Sequence, residues 1–266
     1  MELMGVFLDV NEVAAGYGKR KVLRGASMRT LKPGTVTGLL GPNAAGKSTL
    51  MTTLAGIRKP MAGEIALTRD NERVVGSELR DVVGYVPQDL PASASLTAFE
   101  SVLVSGRRAG RLRVRGSEIE HTAAVLRKVG IEHLADRFVG ELSGGQRQLV
   151  AVAQMFVRDP EVMLLDEPTS ALDLRHQVEL LQLVRAEVAS RSSLALVAIH
   201  DLNLAARYCD ELVMLHDGHV VAQGSPADVL TPDLLARVYG IRARVLNDGG
   251  VPVVCPIEED QVSEAA

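Results

Sequence analysis

Eight residues near the start of the chain combine the side chains and the backbone needed to hold phosphate groups. The run Gly41-Pro-Asn-Ala-Ala-Gly46-Lys47-Ser48 follows a short apolar stretch at 36–40 and precedes a helical pattern over 46–55. In such a loop, backbone N–H groups and the helix N-terminus bind phosphate oxygens, Lys47 neutralises the outer phosphates, and Ser48 offers a hydroxyl to Mg²⁺. A glycine-rich turn without a ligand is the alternative. The strand before the loop and the helix after it favour the phosphate site.

Two carboxylates follow the apolar run Val162-Met-Leu-Leu, namely Asp166 and Glu167. Ligands of open α/β sheets bind at the C-terminal edge of the strands, which is where this pair is expected to lie. Asp166 is a candidate Mg²⁺ ligand, directly or through water, and Glu167 is a candidate base or orienting group for an attacking water. Alone, such a pair is as often a helix cap. Together with the phosphate loop it predicts nucleotide hydrolysis.

A second run of small residues, Leu142-Ser143-Gly144-Gly145-Gln146, leads into a helical pattern over 146–157. Its glycines expose backbone N–H groups at a helix start, which predicts a second anion-binding cradle. An ordinary Gly-Gly helix entry is the alternative. An enzyme that needs one phosphate cradle has little use for this run, so it argues against a phosphoryl-transfer kinase.

These residues need a framework of parallel strands and helices. Segments 6–41, 63–68 and 82–87 are rich in β-forming residues, with a turn at Leu31-Lys-Pro-Gly34. From 96 to 157 the apolar spacing is helical. Continuous apolar runs at 162–166 and 194–199 predict strands that are buried on both faces, and helical patterns at 172–189 and 202–208 alternate with them. This alternation predicts an α/β fold.

Composition narrows the class of protein further. The chain has 266 residues, 47% apolar and 23% charged, as in an ordinary globular protein. A formal charge of −4 and an aromatic content of 3% disfavour a general nucleic-acid binder. Two cysteines, Cys209 and Cys255, indicate no disulfide framework. No run approaches the ~18 apolar residues of a membrane span and no leader pattern opens the sequence, so we expect a cytoplasmic protein.

Taken in order along nearly the whole chain, these motifs resemble the ATP-binding subunit of ABC transporters. The resemblance implies an α/β fold: a P-loop NTPase core with an N-terminal antiparallel β subdomain and an inserted helical subdomain. It implies one domain over 1–266, with the RecA-like and β core at 1–88 and 158–242. The helical signature subdomain would be 89–157, and 243–266 would be a C-terminal extension, β-rich over 243–257 and polar after 258.

The resemblance also implies roles for individual residues. Glu167, His200 and Lys47 are implied as catalytic, and Ser48, Gln88 and Asp166 as Mg²⁺ ligands. ATP binding is implied for Tyr17, Gly41, Pro42, Asn43, Ala44, Ala45, Gly46, Lys47, Ser48 and Thr49. The implied signature that contacts ATP on a partner chain is Leu142, Ser143, Gly144, Gly145 and Gln146, and the implied D-loop is Ser170, Ala171, Leu172 and Asp173.

Several of these residues also have ordinary structural interpretations. Gln88 follows Pro87 in what is otherwise a plain strand-end loop, His200 ends an apolar strand, and Tyr17 is placed to pack against Val22 and Leu23. Most of the superfamily has Gly where this chain has Ala44. Since a left-handed backbone costs energy in alanine, we expect the loop at Ala44 to stay in a region that L-residues tolerate.

Three further stretches, 172–177, 200–210 and 224–239, are similar to the ATPases of ferric-siderophore, haem and cobalamin importers. The resemblance implies an ATPase that powers iron(III)–siderophore import through separate permease subunits, with haem or cobalamin as alternatives. ATP and Mg²⁺ are the implied cofactors. The chain is implied to form a homodimer at the cytoplasmic face of the membrane. A substrate-binding protein is implied as an indirect partner, and no nucleic acid is expected to bind. A non-transport ABC ATPase stays open, although such proteins usually carry a second nucleotide domain, zinc insertions or coiled coils.

Two other patterns are given ordinary interpretations. Arginines at 107, 108, 111, 113 and 115 form a basic run without interleaved aromatic residues, which is typical of a solvated loop. His216-Asp-Gly-His219 places Asp-Gly between two apolar runs, which predicts a hairpin turn in preference to a metal-binding pair.

Overall fold

A six-stranded sheet lies at the centre of the fold in the computed structural model, which describes residues 5–76, 78–90, 95–107 and 114–257. The strand order is β10-β9-β3-β8-β7-β6, with parallel pairing from β9 to β6 and β10 antiparallel to β9. These strands are β3 (Val36–Leu40), β6 (Val83–Val86), β7 (Val162–Asp166), β8 (Leu194–Ala198), β9 (Glu211–His216) and β10 (His219–Gly224). The predicted Asp-Gly hairpin turn joins the last two strands and is confirmed.

An antiparallel sheet with the order β2-β1-β4-β5 forms most of the N-terminal part of the chain. Its strands are β1 (Val6–Tyr17), β2 (Arg20–Leu31), β4 (Ala62–Arg69) and β5 (Glu72–Arg73). The predicted turn after Leu31 separates β2 from β3. A two-stranded hairpin, β11 (Ala243–Asp248) and β12 (Val251–Pro256), confirms the β-rich C-terminal segment.

Helices connect and cover these sheets. They are α1 (Lys47–Leu54), α2 (Glu78–Val82), α3 (Ala98–Ser105), α4 (Gly116–Val129), α5 (Gly144–Phe156), α6 (Leu174–Arg191), α7 (Leu202–Tyr208), α8 (Pro226–Val229) and α9 (Pro232–Tyr239). Two 3₁₀ turns, Glu132–Leu134 and Val139–Glu141, precede α5. The sequence predicted the start of α6 two residues too early, because Asp173 is its N-cap and accepts a hydrogen bond from the His176 N–H.

Strands β3, β7 and β8 are buried along their whole length, and the continuous apolar runs predicted this for β7 and β8. Along β7, Leu164 packs toward the antiparallel sheet and α1, whereas Met163 and Leu165 pack toward the helices on the opposite face. Replacing such a side chain with alanine costs about 2–5 kcal/mol in the free energy of unfolding. The resulting three layers hold the strand ends rigidly, so the loops that leave them have a fixed starting point.

Arg115 is exposed, and its N–H donates to Glu118 at the start of α4. The arginines at 108, 111 and 113, and the polar tail from 258, lie outside the described residues. Within the described ranges, the helices fall short of the length and apolar character that crossing a bilayer requires. The predicted boundaries between subdomains stay predictions.

Candidate functional site

Four loops meet at one edge of the central sheet because four of its parallel strands end there. The phosphate loop follows β3, Gln88 follows β6, Glu167 follows β7, and His200 follows β8. These strands are neighbours in the order β3-β8-β7-β6. Residues that are up to 159 positions apart in the sequence, from Gly41 to His200, therefore lie together at the edge where α/β sheets bind ligands.

The Glu167 carboxylate is the point on which the other groups converge. Its Oε2 accepts a hydrogen bond from Gln88 Nε2 at 2.8 Å, and its Oε1 lies 2.5 Å from His200 Nε2 and 3.9 Å from Lys47 Nζ. The residue is 7% exposed and has a left-handed backbone with φ 53°. Such a conformation costs of order 1–3 kcal/mol and concentrates at functional sites. The arrangement aims a buried carboxylate into the space above the phosphate loop.

Lys47 begins α1 and turns back over the loop that precedes it. Its ammonium donates to the carbonyl oxygens of Gly41 at 2.8 Å and Pro42 at 3.4 Å. Burial lowers the pKa of Lys47, and the nearby carboxylates of Glu167 and Asp166 oppose that fall. These carboxylates therefore favour the charged form that binds phosphate.

Asp166 is 1% exposed at the end of β7. Burial raises the pKa of Asp166, and the neighbouring Ser48 hydroxyl opposes the rise. The Tyr85 hydroxyl lies 3.5 Å from Oδ2, whereas Oδ1 is buried and has no hydrogen-bond partner among the described residues. A buried carboxylate oxygen without a partner, on a residue that neighbours the Ser48 hydroxyl, is an oxygen donor that suits Mg²⁺.

A cavity of about 820 Å³ opens above these groups. The sequence-predicted residues that line it are Tyr17, Asn43, Ala44, Gly46, Lys47, Ser48, Thr49, Gln88, Glu167 and His200. Tyr17 is 57% exposed, and the Arg58 guanidinium lies 3.9 Å from the centre of its ring. The free face of an exposed aromatic ring at the cavity rim is available to stack on a planar ligand. Gly41, Pro42, Ala45 and Asp166 do not line this cavity and support the residues that do.

The phosphate loop adopts a left-handed backbone at Ala44, where φ is 65°. We expected Ala44 to stay in a backbone region that L-residues tolerate. Its φ does so, because it falls inside the small left-handed region open to them. The loop nevertheless keeps the glycine-like conformation. The left-handed backbone therefore costs about 1–2 kcal/mol with alanine at this position.

The signature residues form a second surface. Ser143 is the N-cap of α5: its hydroxyl accepts from Gln146 N–H at 3.2 Å, and its own N–H donates to Gln146 Oε1 at 3.0 Å. A second cavity, of about 540 Å³, is lined by three signature residues and three D-loop residues: Ser143, Gly145, Gln146, Ala171, Leu172 and Asp173. None of its lining residues lines the first cavity. One chain therefore does not bring its signature onto its own phosphate loop.

Sequence reasoning missed some residues of the first cavity. Arg20, Lys21 and Arg24 of β2 line it, as do Asp217 and Gly218 of the β9–β10 turn. The basic pattern of β2 was a signal that could have indicated the three cations. Tyr239, whose hydroxyl accepts a hydrogen bond from the Gly41 N–H, ends the stretch 224–239 that resembles importer ATPases, but that resemblance gave no indication of a contact with the phosphate loop.

Comparison with known proteins identifies the family. The model of the ABC transporter family matches residues 23–170, more than half of the chain. The chain belongs to the ABC transporter family. Ferric enterobactin transport ATP-binding protein FepC of Escherichia coli is 35% identical over 96% of this chain and 95% of its own length. Hemin import ATP-binding protein HmuV of Bordetella avium is 38% identical over 90% and 94%. Cobalamin import ATP-binding protein BtuD of Halobacterium salinarum is 39% identical over 89% of this chain and 60% of its own length.

Solved structures of ABC proteins share the fold. CbiO1 of Clostridium perfringens, part of the ABC transporter complex cbiONQ, is 33% identical and covers 86% of this chain and 92% of its own, with a TM-score of 0.72. A dimeric, post-hydrolysis form of the ATP-binding cassette MJ0796 bound to ADP and Pi is 27% identical over 82% and 98%, with a TM-score of 0.73. The predicted α/β fold with a P-loop NTPase core is confirmed. The chain is an ABC ATPase coupled to transport.

Proposed function

We propose that this ABC ATPase energises the import of an iron(III)–siderophore complex through separate membrane permease subunits. The observation that carries the catalytic part is the convergence of Lys47, Gln88 and His200 on the Glu167 carboxylate. The similarity to FepC along almost the whole of both chains supports the cargo. In this proposal the chain lies at the cytoplasmic face of the membrane as a peripheral subunit. A substrate-binding protein takes part indirectly, and no nucleic acid is involved.

The residues of the first cavity divide the work of hydrolysis. The amides of residues 43–48 and the N-terminus of α1 hold the phosphates of ATP, and Tyr17 stacks on the adenine. Lys47 exchanges the carbonyls of Gly41 and Pro42 for phosphate oxygens, while His200 contacts the γ-phosphate. Once these two side chains turn to the nucleotide, the Glu167 carboxylate is free to orient a water and accept its proton.

A Mg²⁺ ion would be held by the Ser48 hydroxyl, the Asp166 carboxylate and the Gln88 side-chain oxygen. When bound, the ion spreads the negative charge of the phosphates. The buried, unpartnered Oδ1 of Asp166 supports this assignment. Hydrogen bonding of the Gln88 amide nitrogen to Glu167 leaves its oxygen for the ion.

Two copies of the chain close head to tail over two ATP molecules. The signature residues of one copy cover the ATP on the phosphate loop of the other, and the D-loop at 170–173 lies at the junction. The lack of shared residues between the two cavities supports this arrangement, as does the dimeric form of the MJ0796 cassette. We propose that Gln88 and the helical subdomain, 89–157, contact the permease. We also propose that residues 1–88 and 158–242 form the RecA-like and β core.

Uptake measurements test the cargo. In cells without other iron importers, Glu167→Gln is introduced into the native copy, and radio-iron uptake from ferric siderophores is measured. We expect uptake to be lost and to return when the unmutated chain is supplied. Glu64→Gln, the same chemical change at an exposed residue of β4, is the matched control and is expected to transport normally.

The relatives HmuV and BtuD keep haem and cobalamin as the second candidates, because they match at identities no lower than FepC. The same cells are therefore tested for haem and cobalamin uptake. If iron uptake is normal and the uptake of haem or cobalamin is lost, the compound whose uptake is lost is the cargo. The ATPase assignment is unchanged by that result.

A further inference from the structure

A tyrosine near the C-terminus contacts the first residue of the phosphate loop. Tyr239 is the last residue of α9, and its hydroxyl oxygen accepts a hydrogen bond from the Gly41 N–H at 3.0 Å. The two residues are 198 positions apart in the sequence. Gly41 is buried, so its N–H depends on a partner from within the protein.

Gly41 leaves the loop little room to move. Its φ is 148°, and a side-chain carbon added there would lie 2.2 Å from the Leu215 carbonyl oxygen, so this position requires glycine. Its own carbonyl oxygen accepts from Lys47 Nζ at 2.8 Å. Tyr239 and Lys47 therefore hold the N–H and the carbonyl of the same residue.

Helix α9 provides a fixed support for the tyrosine. Leu235 and Val238 of the helix are buried, and Thr231 caps its N-terminus by accepting from the Leu234 N–H. The helix also packs against β11. Burial raises the pKa of Tyr239 to about 12, so the phenol stays un-ionised at neutral pH.

We infer that Tyr239 is a positioning residue of the ATPase site, whose hydroxyl holds Gly41, and with it the entry of the phosphate loop, in the shape that binds nucleotide. Tyr239 lies outside the residues that line the nucleotide cavity. It acts on the nucleotide through the loop. The inference rests on the proposed nucleotide site.

The substitution Tyr239→Phe removes the hydroxyl and keeps the ring. It leaves the buried Gly41 N–H without an acceptor, a loss that reduces ATP binding by roughly fivefold to tenfold. Because the loop holds ATP and the transition state alike, KM for ATP rises by the same factor and kcat stays within about twofold. Equilibrium binding of a fluorescent ATP analogue and steady-state phosphate release measure these changes on the full-length protein.

The matched control is Tyr208→Phe, the same change at a partly buried tyrosine of α7 whose hydroxyl makes no hydrogen bond to the described part of the chain. It is expected to bind ATP as the parent protein does. Hydrogen exchange adds a direct measurement, since the Gly41 amide should exchange about tenfold faster in Tyr239→Phe than in the parent protein or in Tyr208→Phe.

A purely structural role for Tyr239 makes a different prediction. The melting temperature would fall, while the Kd for ATP and the exchange of the Gly41 amide would match the control. That result overturns the inference, and so does an equal loss of affinity in Tyr208→Phe. Lys47→Ala separates the inference from its premise: if that variant binds ATP as tightly as the parent protein, the nucleotide site itself is wrong.

Discussion

The two functional surfaces of this chain are built on opposite principles. The pocket over the phosphate loop gathers buried charges, with Lys47 5% and Glu167 7% exposed, and each charge has partners within the same chain. The signature surface has no buried charge among its lining signature residues and presents a helix start whose cap, Ser143, is satisfied locally by Gln146. The charges of the first pocket are paired within one chain. In the proposed dimer, the second surface instead contacts the ATP that is bound to a partner chain.

The largest expected effect comes from the centre of the buried pocket. Glu167→Gln keeps the size of the side chain and its ability to bond, but removes the group that accepts a proton. We expect turnover to fall by at least ~100-fold, as for loss of a general base, while ATP affinity stays within a few fold of the parent value. Phosphate release and equilibrium ATP binding measure the two quantities. Turnover at the parental rate would show that Glu167 is not the base.

A complementation experiment tests whether the phosphate-loop pocket of one chain works together with the signature surface of its partner. Lys47→Ala disables the phosphate loop. Gly145→Ala disables the signature, because its new carbon would lie 2.7 Å from the Ala171 carbonyl oxygen and force the D-loop away. Each variant alone should lose hydrolysis. Mixed one to one, half of the dimers carry one intact composite site, so about a quarter of the parental activity is expected.

The outcome of the mixture depends on where the composite site lies. Activity that stays at the background of the single variants would contradict the head-to-tail arrangement. Gly144→Ala provides the structural control, since its added carbon meets Ala171 Cβ at an ordinary 3.7 Å. It should leave the melting temperature unchanged or slightly higher, whereas Gly145→Ala should lower it.

The smallest expected effect lies in the exposed cap beside the signature. Hydrogen bonds from the backbone N–H and the ring of His176 lower the pKa of Asp173. A lowered carboxyl pKa stabilises the fold above the ordinary value of about 3.9, and the contribution disappears as the pH falls through the lowered value. The melting temperature of Asp173→Ala should therefore lie below that of the parent protein at neutral pH and approach it in acid.

The variant Asp173→Asn distinguishes charge from capping. Asparagine caps a helix as well as aspartate does but cannot ionise. Its difference in melting temperature from the parent protein should be smaller than that of Asp173→Ala at neutral pH. If the Asp173→Ala difference is the same at every pH, the charge of Asp173 plays no part in stability.

Much of the pocket was predictable because its signals are local. Glycine and lysine spacing predicts the phosphate loop, and strands buried on both faces leave continuous apolar runs that predict where Glu167 and His200 emerge. The left-handed backbone of Ala44 was not predictable, since the chemistry of alanine argues against it and the surrounding loop imposes it. The contact of Tyr239 with Gly41 could not be predicted for another reason. It depends on tertiary packing between two segments that are far apart in the sequence, and no local sequence pattern indicates that packing.

The central position of β3 has a consequence for how the protein is made. This strand carries the phosphate loop, yet its neighbours β8 and β9 begin more than 150 residues later in the chain. During synthesis β3 and the phosphate loop leave the ribosome early. The strand then stays unpaired until nearly the whole chain has been made. An unfinished chain therefore lacks the two strands that border β3, and with them a finished nucleotide pocket.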